Sequence, residues 1–194
     1  MNSDNEYVWY VSYGSNLGSL RFFCYIEGGQ YKLGGSPARG CSDKTLPREN
    51  KAITIPYSIY FAKHATKWND GGVAFLYMEK ENDPKNWTLA RMWKIMREQF
   101  DQVVQQEGPT WYNSTIDLGK DGGIPILTIT NSEKQPLNPP SMNYLRTIAI
   151  GLIETYKLNA KEIFNYLNEK DGIRGCFSEN ELQSIINMDI GVVN

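Results

Sequence analysis

The chain has 194 residues, with 20 lysines and arginines against 22 aspartates and glutamates, so its formal charge is −2. This length fits one domain with a substantial core, and 41% hydrophobic and 22% charged residues are typical of a folded globular protein. The near-neutral charge supplies no broad positive field, which argues against nucleic acid or an anionic membrane as a partner and favours a small molecule.

The N-terminus and the cysteines both predict a cytoplasmic protein. The first six residues are polar and acidic, unlike the basic start and apolar run of a signal peptide. No apolar stretch approaches the roughly 20 residues that cross a bilayer. The three cysteines, Cys24, Cys41 and Cys176, lack CxxC spacing and cannot all pair internally. Free thiols in a reducing compartment are therefore expected.

Metal sites and a histidine-based triad are both disfavoured. His64 is the only histidine, and the sequence contains no CxxC or HExxH motif. A Ser-His-Asp triad would also need a nucleophile elbow, which the sequence lacks. We expect no metal, and we expect His64 to be a surface residue.

In chain order, the first predicted element is a buried strand over residues 7–13, which are mainly aromatic and β-branched. Gly14, Ser15 and Asn16 then form a turn into a helix, with one glycine free to take positive φ and two N-cap candidates. Gly28 ends that helix. Residues 34–50, rich in glycine, proline, serine and charge, predict a long loop of the kind that is usually functional or mobile.

Strands are predicted for the next part of the chain. Residues 53–61 alternate as one half-buried strand, in which Pro56 indicates an edge or a bulge, and residues 73–77 form another. Residues 87–107 are ambiguous: the apolar spacing fits one helix, or a strand over 88–95 before a helix over 97–106. Two further strands, 112–118 and 124–130, flank a glycine-rich hairpin turn.

The C-terminal part of the chain is predicted to be helical. Ser141 can cap a helix that runs to Tyr156, and Ser178 with Glu181 forms a capping box that opens a last helix toward Met188. This order of elements predicts a single α+β domain over residues 1–194 with a twisted or barrel-like sheet, in which residues 170–194 are a C-terminal helical extension.

Two features could carry chemistry. The turn at 14–16 aims backbone N–H groups and the positive end of a helix dipole into one space, so it could hold a carboxylate or an oxyanion, or it could be an ordinary capped turn. Glu107 precedes Gly108 at a predicted helix end, where its charge opposes the dipole at a cost of about 0.3–1 kcal/mol. It could therefore be a general acid–base group or a solvated glutamate.

Together these features resemble the γ-glutamylcyclotransferase family, through Tyr13-Gly14-Ser15-Asn16-Leu17 with Arg21 following, Glu107-Gly108, and Pro140-Ser141 with Tyr144. The resemblance covers residues 8–168. It implies a strand over 88–95 before the glutamate-bearing helix, and a small closed mixed β-barrel flanked by helices.

The resemblance also implies a reaction on a small γ-glutamyl substrate, whose own amine attacks its γ-carbonyl and releases 5-oxoproline without metal or cofactor. Glu107 would be the general acid–base residue, Gly14 to Leu17 would bind the substrate through backbone N–H groups, and Tyr13, Arg21 and Tyr144 would complete the binding site. Alternatively, Arg21 makes a structural bond to nearby carbonyls and Tyr144 is a core aromatic residue of its helix. A non-catalytic protein that binds a small carboxylate, and a structural protein, are alternatives. The leaving group is left open because the loop over 28–50 is longer than in well-known members, and whether the chain forms a homodimer is also open.

Overall fold

The computed structural model describes residues 6–187. The strands are β1 Tyr7–Ser12, β2 Glu49–Ile55, β3 Tyr57–Ala65, β4 Gly71–Lys80, β5 Thr88–Met96, β6 Ser114–Asp121 and β7 Ile124–Thr130. The helices are α1 Ser19–Glu27, α2 Arg97–Glu107, α3 Met142–Tyr156, α4 Ala160–Asn168 and α5 Glu179–Asn187, with 3-10 turns at Ser15–Leu17, Thr66–Trp68 and Pro84–Asn86. Within residues 6–187, no helix is both long enough and apolar enough to span a membrane.

The strands form a five-stranded sheet in the order β2-β5-β1-β7-β6 and a separate β3-β4 pair. In the centre, β1 runs antiparallel to β5 and parallel to β7. The predicted α+β class is confirmed, but the ladders of the described strands do not close into a barrel, so the closed barrel is not confirmed.

Threonine side chains connect the two sheets. Thr130 Oγ1 in β7 accepts a hydrogen bond from the N–H of Leu76 in β4 and donates one to its carbonyl, both at 2.9 Å. Thr88 Oγ1 in β5 donates to the carbonyl of Tyr57 in β3 at 2.6 Å. All four residues are buried, so these bonds satisfy backbone groups that the ladders leave unpaired.

Pro56 separates two strands, which the alternating pattern predicted as one. Ile55 ends β2 opposite Thr88, whereas Tyr57 begins β3 opposite Lys80 in the other sheet. The prediction of one strand over 53–61 was therefore wrong. The apolar alternation continues across the corner because Ile53 and Ile55 of β2 and the alternate residues 57, 59 and 61 of β3 are all buried or partly buried. Proline, which lacks an N–H, tolerates the break in pairing.

The ambiguous segment is a strand followed by a helix, as the resemblance implied. β5 looked helical because it is buried on both faces: Ala90 and Met92 lie in one apolar cluster, and Trp93 and Ile95 lie in another. A strand buried on both sides carries a nearly continuous apolar run, which periodicity alone cannot distinguish from a helix.

The two apolar clusters lie on opposite faces of the central sheet. Trp9 and Val11 of β1 face the larger cluster, which includes the β3-β4 pair and α3, while Val8 and Tyr10 face the smaller one beneath α1 and α2. Alternate residues of a strand point to opposite faces, so β1 anchors both clusters. Its C-terminal end therefore enters the turn at a fixed place between them.

The capping predictions for the C-terminal helices are confirmed. Ser141 Oγ accepts from the Tyr144 N–H at 3.3 Å, and Ser178 exchanges hydrogen bonds with Glu181 at the start of α5. In α5, Leu182 is buried in the main core. The predicted continuation toward Met188 lies outside the described residues, and the division of the chain at residue 170 stays a prediction.

Gly151 lets α3 approach the turn closely. A Cβ atom at this position would overlap the Leu17 side chain and lie 2.6 Å from the backbone nitrogen of Gly18. Glycine in a helix interior normally costs about 1 kcal/mol relative to alanine. Here the missing Cβ allows contact between α3 and the turn, which holds the turn against the core.

We expect Gly151→Ala to lower the free energy of unfolding by about 1–3 kcal/mol, because the new methyl group overpacks the contact with the turn. Urea denaturation measures this change. Asn143→Ala, an exposed position on the same helix, is the control and should change stability by less than about 0.5 kcal/mol. Stabilisation by Gly151→Ala, the usual result at a free helix position, would contradict the close approach.

Candidate active site

The carbonyl groups of the turn are held by side chains of β1 and β5. The carbonyl of Asn16 accepts hydrogen bonds from Ser12 Oγ at 2.9 Å and from Trp93 Nε1 at 3.2 Å. Trp93 Nε1 also donates to Ser12 Oγ at 3.0 Å. All three residues are buried. The backbone of the turn is therefore fixed before any ligand binds.

A partly buried ion pair holds the junction between the turn and α1. Arg91 Nη1 donates to the carbonyl of Leu17 at 3.1 Å and to Glu154 Oε2 at 2.9 Å. The same Glu154 oxygen accepts from the backbone N–H of Ser19 at 2.8 Å. Burial lowers the pKa of Arg91 from its usual value, and its interactions with Glu154 oppose that change.

Glu154 thus caps the first turn of α1 from another helix. The prediction that Ser15 or Asn16 would act as an N-cap was wrong, since neither the 3-10 turn nor α1 has a side-chain cap from its own N-cap residue. The N-cap residues are glycines in both elements: Gly14 precedes the 3-10 turn and Gly18 precedes α1. The polar side chain of Asn16 is consequently available for another partner.

That partner is Glu107, the last residue of α2. Asn16 Nδ2 donates to Glu107 Oε1 at 2.6 Å and lies 3.5 Å from the hydroxyl of Tyr10. Gly108, with φ of +93°, ends the helix in a conformation that favours glycine and leaves the Glu107 side chain beside the turn. The structure therefore brings the two predicted features together, although they are 91 residues apart.

A small cavity of about 30 Å³ lies between the turn and Glu107. Its lining residues are Tyr10, Ser12, Tyr13, Gly14, Ser15, Asn16, Ala74, Glu107, Tyr112, Ile129 and Tyr144. Two of the predicted site residues lie elsewhere. Leu17 is buried in the core, and its N–H donates to the carbonyl of Gly14 at 3.1 Å, while Arg21 lines a neighbouring cavity.

Buried tyrosines dominate the site, and most of them were not among the predicted residues. Burial first, and then the negative charge of Glu107, raises the pKa of Tyr10 and Tyr25 well above their usual range. Burial likewise raises the pKa of Tyr112, and it raises the pKa of Tyr144 to about 12. These hydroxyls stay protonated at neutral pH and can donate hydrogen bonds.

Tyr25 connects Glu107 to Arg21. Its hydroxyl accepts a hydrogen bond from Arg21 Nη2 at 3.2 Å, and its side chain lines a small cavity together with Glu107. The sequence contained one signal for this contact, because residues 21 and 25 are one helical turn apart and share a face. The apolar pattern assigned Tyr25 to the core, and only the packing of α1 against α2 reveals its polar role.

Tyr144 closes the cavity over the turn. Its hydroxyl accepts a hydrogen bond from the Ala74 N–H at 3.1 Å. A Cβ atom on Gly14 would lie 2.9 Å from this hydroxyl, so glycine is required for the close contact. The tyrosine oxygen therefore lies against the turn that was predicted to bind an anion.

Part of the long loop is fixed to one face of α2 by glutamine side chains. Gln99 Nε2 donates to the carbonyls of Asp43 and Thr45, and the N–H groups of Ser42 and Gly40 donate to Gln102 and Gln106, respectively. The helical spacing of these glutamines aligns them along the loop. This end of the 34–50 loop is thus ordered, and it helps to hold the helix that carries Glu107.

The remaining candidates have structural surroundings. Cys24, Cys41 and Cys176 are all free thiols, as predicted. Cys41 is buried, and this burial raises the pKa of its thiol, which favours an inert side chain. His64 is exposed and lies 3.3 Å from the Asn138 amide. Within residues 6–187, no group of three or more histidine, cysteine, aspartate or glutamate side chains could hold a metal ion.

Comparison with solved structures defines the fold class, which is that of γ-glutamyl cyclotransferases. A structure described as a γ-glutamyl cyclotransferase superposes with a TM-score of 0.57 at 19% sequence identity, covering 93% of this chain and 98% of that chain. An uncharacterized human protein gives a TM-score of 0.58 at 19% identity with the same coverage. YkqA from Bacillus subtilis gives 0.53 at 15% identity, covering 85% of this chain and 55% of its own.

Comparison with curated sequences finds a different relative. The chain is 30% identical to histone deacetylase 5 from Arabidopsis thaliana over 205 aligned positions, which cover 84% of this chain. The chain spans 30% of the length of that protein, and the name histone deacetylase 5 refers to the full-length protein. No model of a protein family matches the chain. The structural comparisons therefore establish the fold, and the reaction has to be argued from the site.

The buried tyrosines make stability fall at alkaline pH. Their pKa values are raised in the folded state, so their stabilising contribution is complete below the unfolded value near 10 and is lost as the pH rises above it. Each such group lowers the free energy of unfolding by up to about 1.4 kcal/mol per pH unit in that range. Tyr10→Phe removes one group and should make the decline shallower by about that amount in urea titrations between about pH 10 and 11.5.

The control is Val104→Ala, which trims a partly buried side chain in the same apolar cluster without removing a titratable group. This variant should keep the wild-type pH slope despite its lower stability. Identical slopes for Tyr10→Phe and the wild type would show that Tyr10 is not shielded from water.

Proposed function

We propose that the protein is an enzyme of the γ-glutamyl cyclotransferase type, which releases 5-oxoproline from a γ-glutamyl amine or amino acid. One observation carries this proposal: the Glu107 carboxylate lies 2.6 Å from the Asn16 amide, within a cavity formed by the turn. An acid far from the turn would have left only a binding or structural role. The fold shared with γ-glutamyl cyclotransferase structures supports the same conclusion.

In the proposed reaction, the substrate's α-amine attacks its own γ-carbonyl carbon. A new carbon–nitrogen bond closes the five-membered ring, and the bond from the same carbonyl carbon to the leaving nitrogen then breaks. Because nucleophile and electrophile belong to one molecule, holding the substrate folded removes much of the barrier. Glu107 takes a proton from the attacking nitrogen and returns it to the leaving nitrogen, so proton and charge balance over the cycle.

Hydrogen-bond donors around the cavity would stabilise the oxygen that becomes negative during attack. The backbone N–H groups of the turn and the protonated hydroxyls of Tyr10 and Tyr144 are suitable donors, whereas the N–H of Leu17 is already used inside the turn. The Tyr144 hydroxyl lies against Gly14 of the turn, so a substrate oxygen held by the turn would need this space. Substrate binding therefore requires Tyr144 to move.

The cavity must widen for this reaction. Its volume of about 30 Å³ accommodates roughly one water molecule. A second cavity of about 20 Å³, which Glu107, Tyr25, Lys67 and Tyr144 line, adjoins it. Movement of the Tyr144 ring would join the two spaces, because that residue lines both.

The small volume of the cavity also favours the second candidate, a protein of the same fold that binds a small carboxylate without turnover. In that case the turn and Glu107 would recognise a ligand and release it unchanged. Activity of the wild type separates the two candidates. A cytoplasmic location and a homodimer stay predictions that the site does not address.

Glu107→Gln should lower the rate of 5-oxoproline formation about 10²- to 10⁴-fold, the range for loss of a general acid–base group. The amide keeps the size of the side chain and an oxygen that can accept from Asn16, so the melting temperature should change little. The assay follows 5-oxoproline from a panel of γ-glutamyl dipeptides and γ-glutamyl amines by liquid chromatography.

Glu98→Gln is the matched control, since it makes the same chemical change at an exposed position in the first turn of α2. It should retain wild-type activity. Absence of product from the wild type, together with a rise in melting temperature with the same ligands, would establish the binding protein and reject the enzyme.

A further inference from the structure

A larger cavity of about 240 Å³ lies beyond Tyr25, between α1, α2 and the long loop. It is lined by Arg21, Tyr25, Ser36, Pro37, Ala38, Arg39, Lys67, Gln105 and Gln106. Tyr25 and Lys67 also line the small cavity beside Glu107. The three cavities therefore form a series that begins at the turn, passes Glu107 and ends among these residues.

The lining of this cavity is strongly positive. Arg21, Arg39 and Lys67 contribute three cationic side chains, and no carboxylate is among its lining residues. Within the described part of the chain, none of these three forms an ion pair. The nearest acidic group along the series is Glu107, on the far side of Tyr25.

Arg21 is the least compensated of the three cations. The residue is 2% exposed, and its Nε and Nη1 atoms have no hydrogen-bond partner within residues 6–187, while Nη2 donates to the Tyr25 hydroxyl. The rings of Tyr25 and Trp68 lie 4.8 and 5.7 Å from the guanidinium carbon. The ring faces attract the positive charge, but they do not accept hydrogen bonds from the N–H groups in the plane of the guanidinium. Within the described residues, the buried guanidinium therefore lacks an anionic partner.

The loop keeps this guanidinium at the edge of the cavity. A Cβ atom on Gly35 would lie 3.0 Å from Arg21 Nη2, so the loop backbone packs directly on the guanidinium. Gly35 itself is held by a hydrogen bond from its N–H to the carbonyl of Lys67 at 3.0 Å. Arg21 is also among the residues that line the cavity, so its guanidinium lies at the edge of the open space.

We propose that this cavity, the cationic cavity, binds the leaving half of the substrate, and that this half carries two negative charges. The inference rests on the proposed function, because it requires the glutamyl half to lie beside Glu107. Two carboxylates or one phosphate monoester supply the charge and the paired oxygens that a guanidinium binds through two parallel hydrogen bonds. Lys67 and Arg39 balance the second charge at the more exposed side of the cavity.

This assignment gives Tyr25 a positioning role. The residue lies between the two halves of the bound substrate, because its hydroxyl accepts a hydrogen bond from Arg21 and its side chain lines the small cavity that Glu107 also lines. An anion that draws the Arg21 guanidinium into the cationic cavity would free this hydroxyl from Arg21. Occupation of the cationic cavity would therefore change the environment of the acid that performs the chemistry.

The test measures ligand binding to the Glu107→Gln protein by isothermal titration calorimetry, so that turnover does not interfere. Four ligands differ only in the leaving half: γ-glutamylglycinamide is neutral there, γ-glutamylglycine has one carboxylate, γ-glutamylglutamate has two, and γ-glutamylphosphoethanolamine has a phosphate. Charged hydrogen bonds of this kind predict that the dianionic ligands bind at least about tenfold more tightly than the neutral one. The last two ligands distinguish a carboxylate pair from a phosphate.

Arg21→Gln and Lys67→Gln, each combined with Glu107→Gln, should reduce this preference to about threefold or less. Lys32→Gln is the matched control, because Lys32 is an exposed lysine of the 28–50 loop that does not line the cavity. This variant should keep the preference for dianionic ligands. Lys67 is only partly buried, so its variant decides the question even if Arg21→Gln fails to fold.

The outcomes separate this inference from the proposed function. Equal affinity for all four ligands, or no binding of any, overturns the cationic cavity as a substrate site. Release of 5-oxoproline by the wild-type protein from the neutral ligand without any charge preference keeps the enzyme and rejects the inference. Charge-selective binding without product from the wild type keeps the inference as a binding site and rejects the enzyme.

Discussion

The hydrogen bond from Asn16 to Glu107 is the interaction on which the account of the site depends. It joins the turn after β1 to the last residue of α2, and it is short, partly buried and made to a charged group. Bonds of this kind contribute about 1.5–3 kcal/mol. The contact also orients the carboxylate toward the cavity, so one interaction links the stability of the site to its chemistry.

The turn can serve this role because its backbone is held from three sides. Ser12 and Trp93 bind the carbonyl of Asn16, Arg91 binds that of Leu17, and Glu154 caps the start of α1. These groups come from β1, β5 and α3, so the turn is fixed by the packed core rather than by its own residues. Such preorganisation is what electrostatic stabilisation of a reacting oxygen requires, since the donors need not be reoriented during the reaction.

The parts of the site that the sequence predicted are those with local signals. The small-residue turn, the glutamate before Gly108, and the cap at Ser141 each follow from residues close together in the chain. Arg91 and Glu154 carried no such signal, because their roles come from contacts across the fold, and Tyr25 carried only the helical spacing that places it beside Arg21. The strand break at Pro56 was missed, and apolar spacing left β5 ambiguous between a strand and a helix, for a related reason: apolar spacing records burial but not which sheet or cluster provides it.

The most direct test of the account is a double-mutant cycle on the free energy of unfolding, with Asn16→Ala, Glu107→Ala and the double variant. Because the two side chains share a short charged hydrogen bond, we predict a coupling free energy of at least about 1 kcal/mol. A coupling of less than about 0.3 kcal/mol would mean that the two changes act independently. The turn and the acid would then not form one site, and the proposed mechanism would have no structural basis.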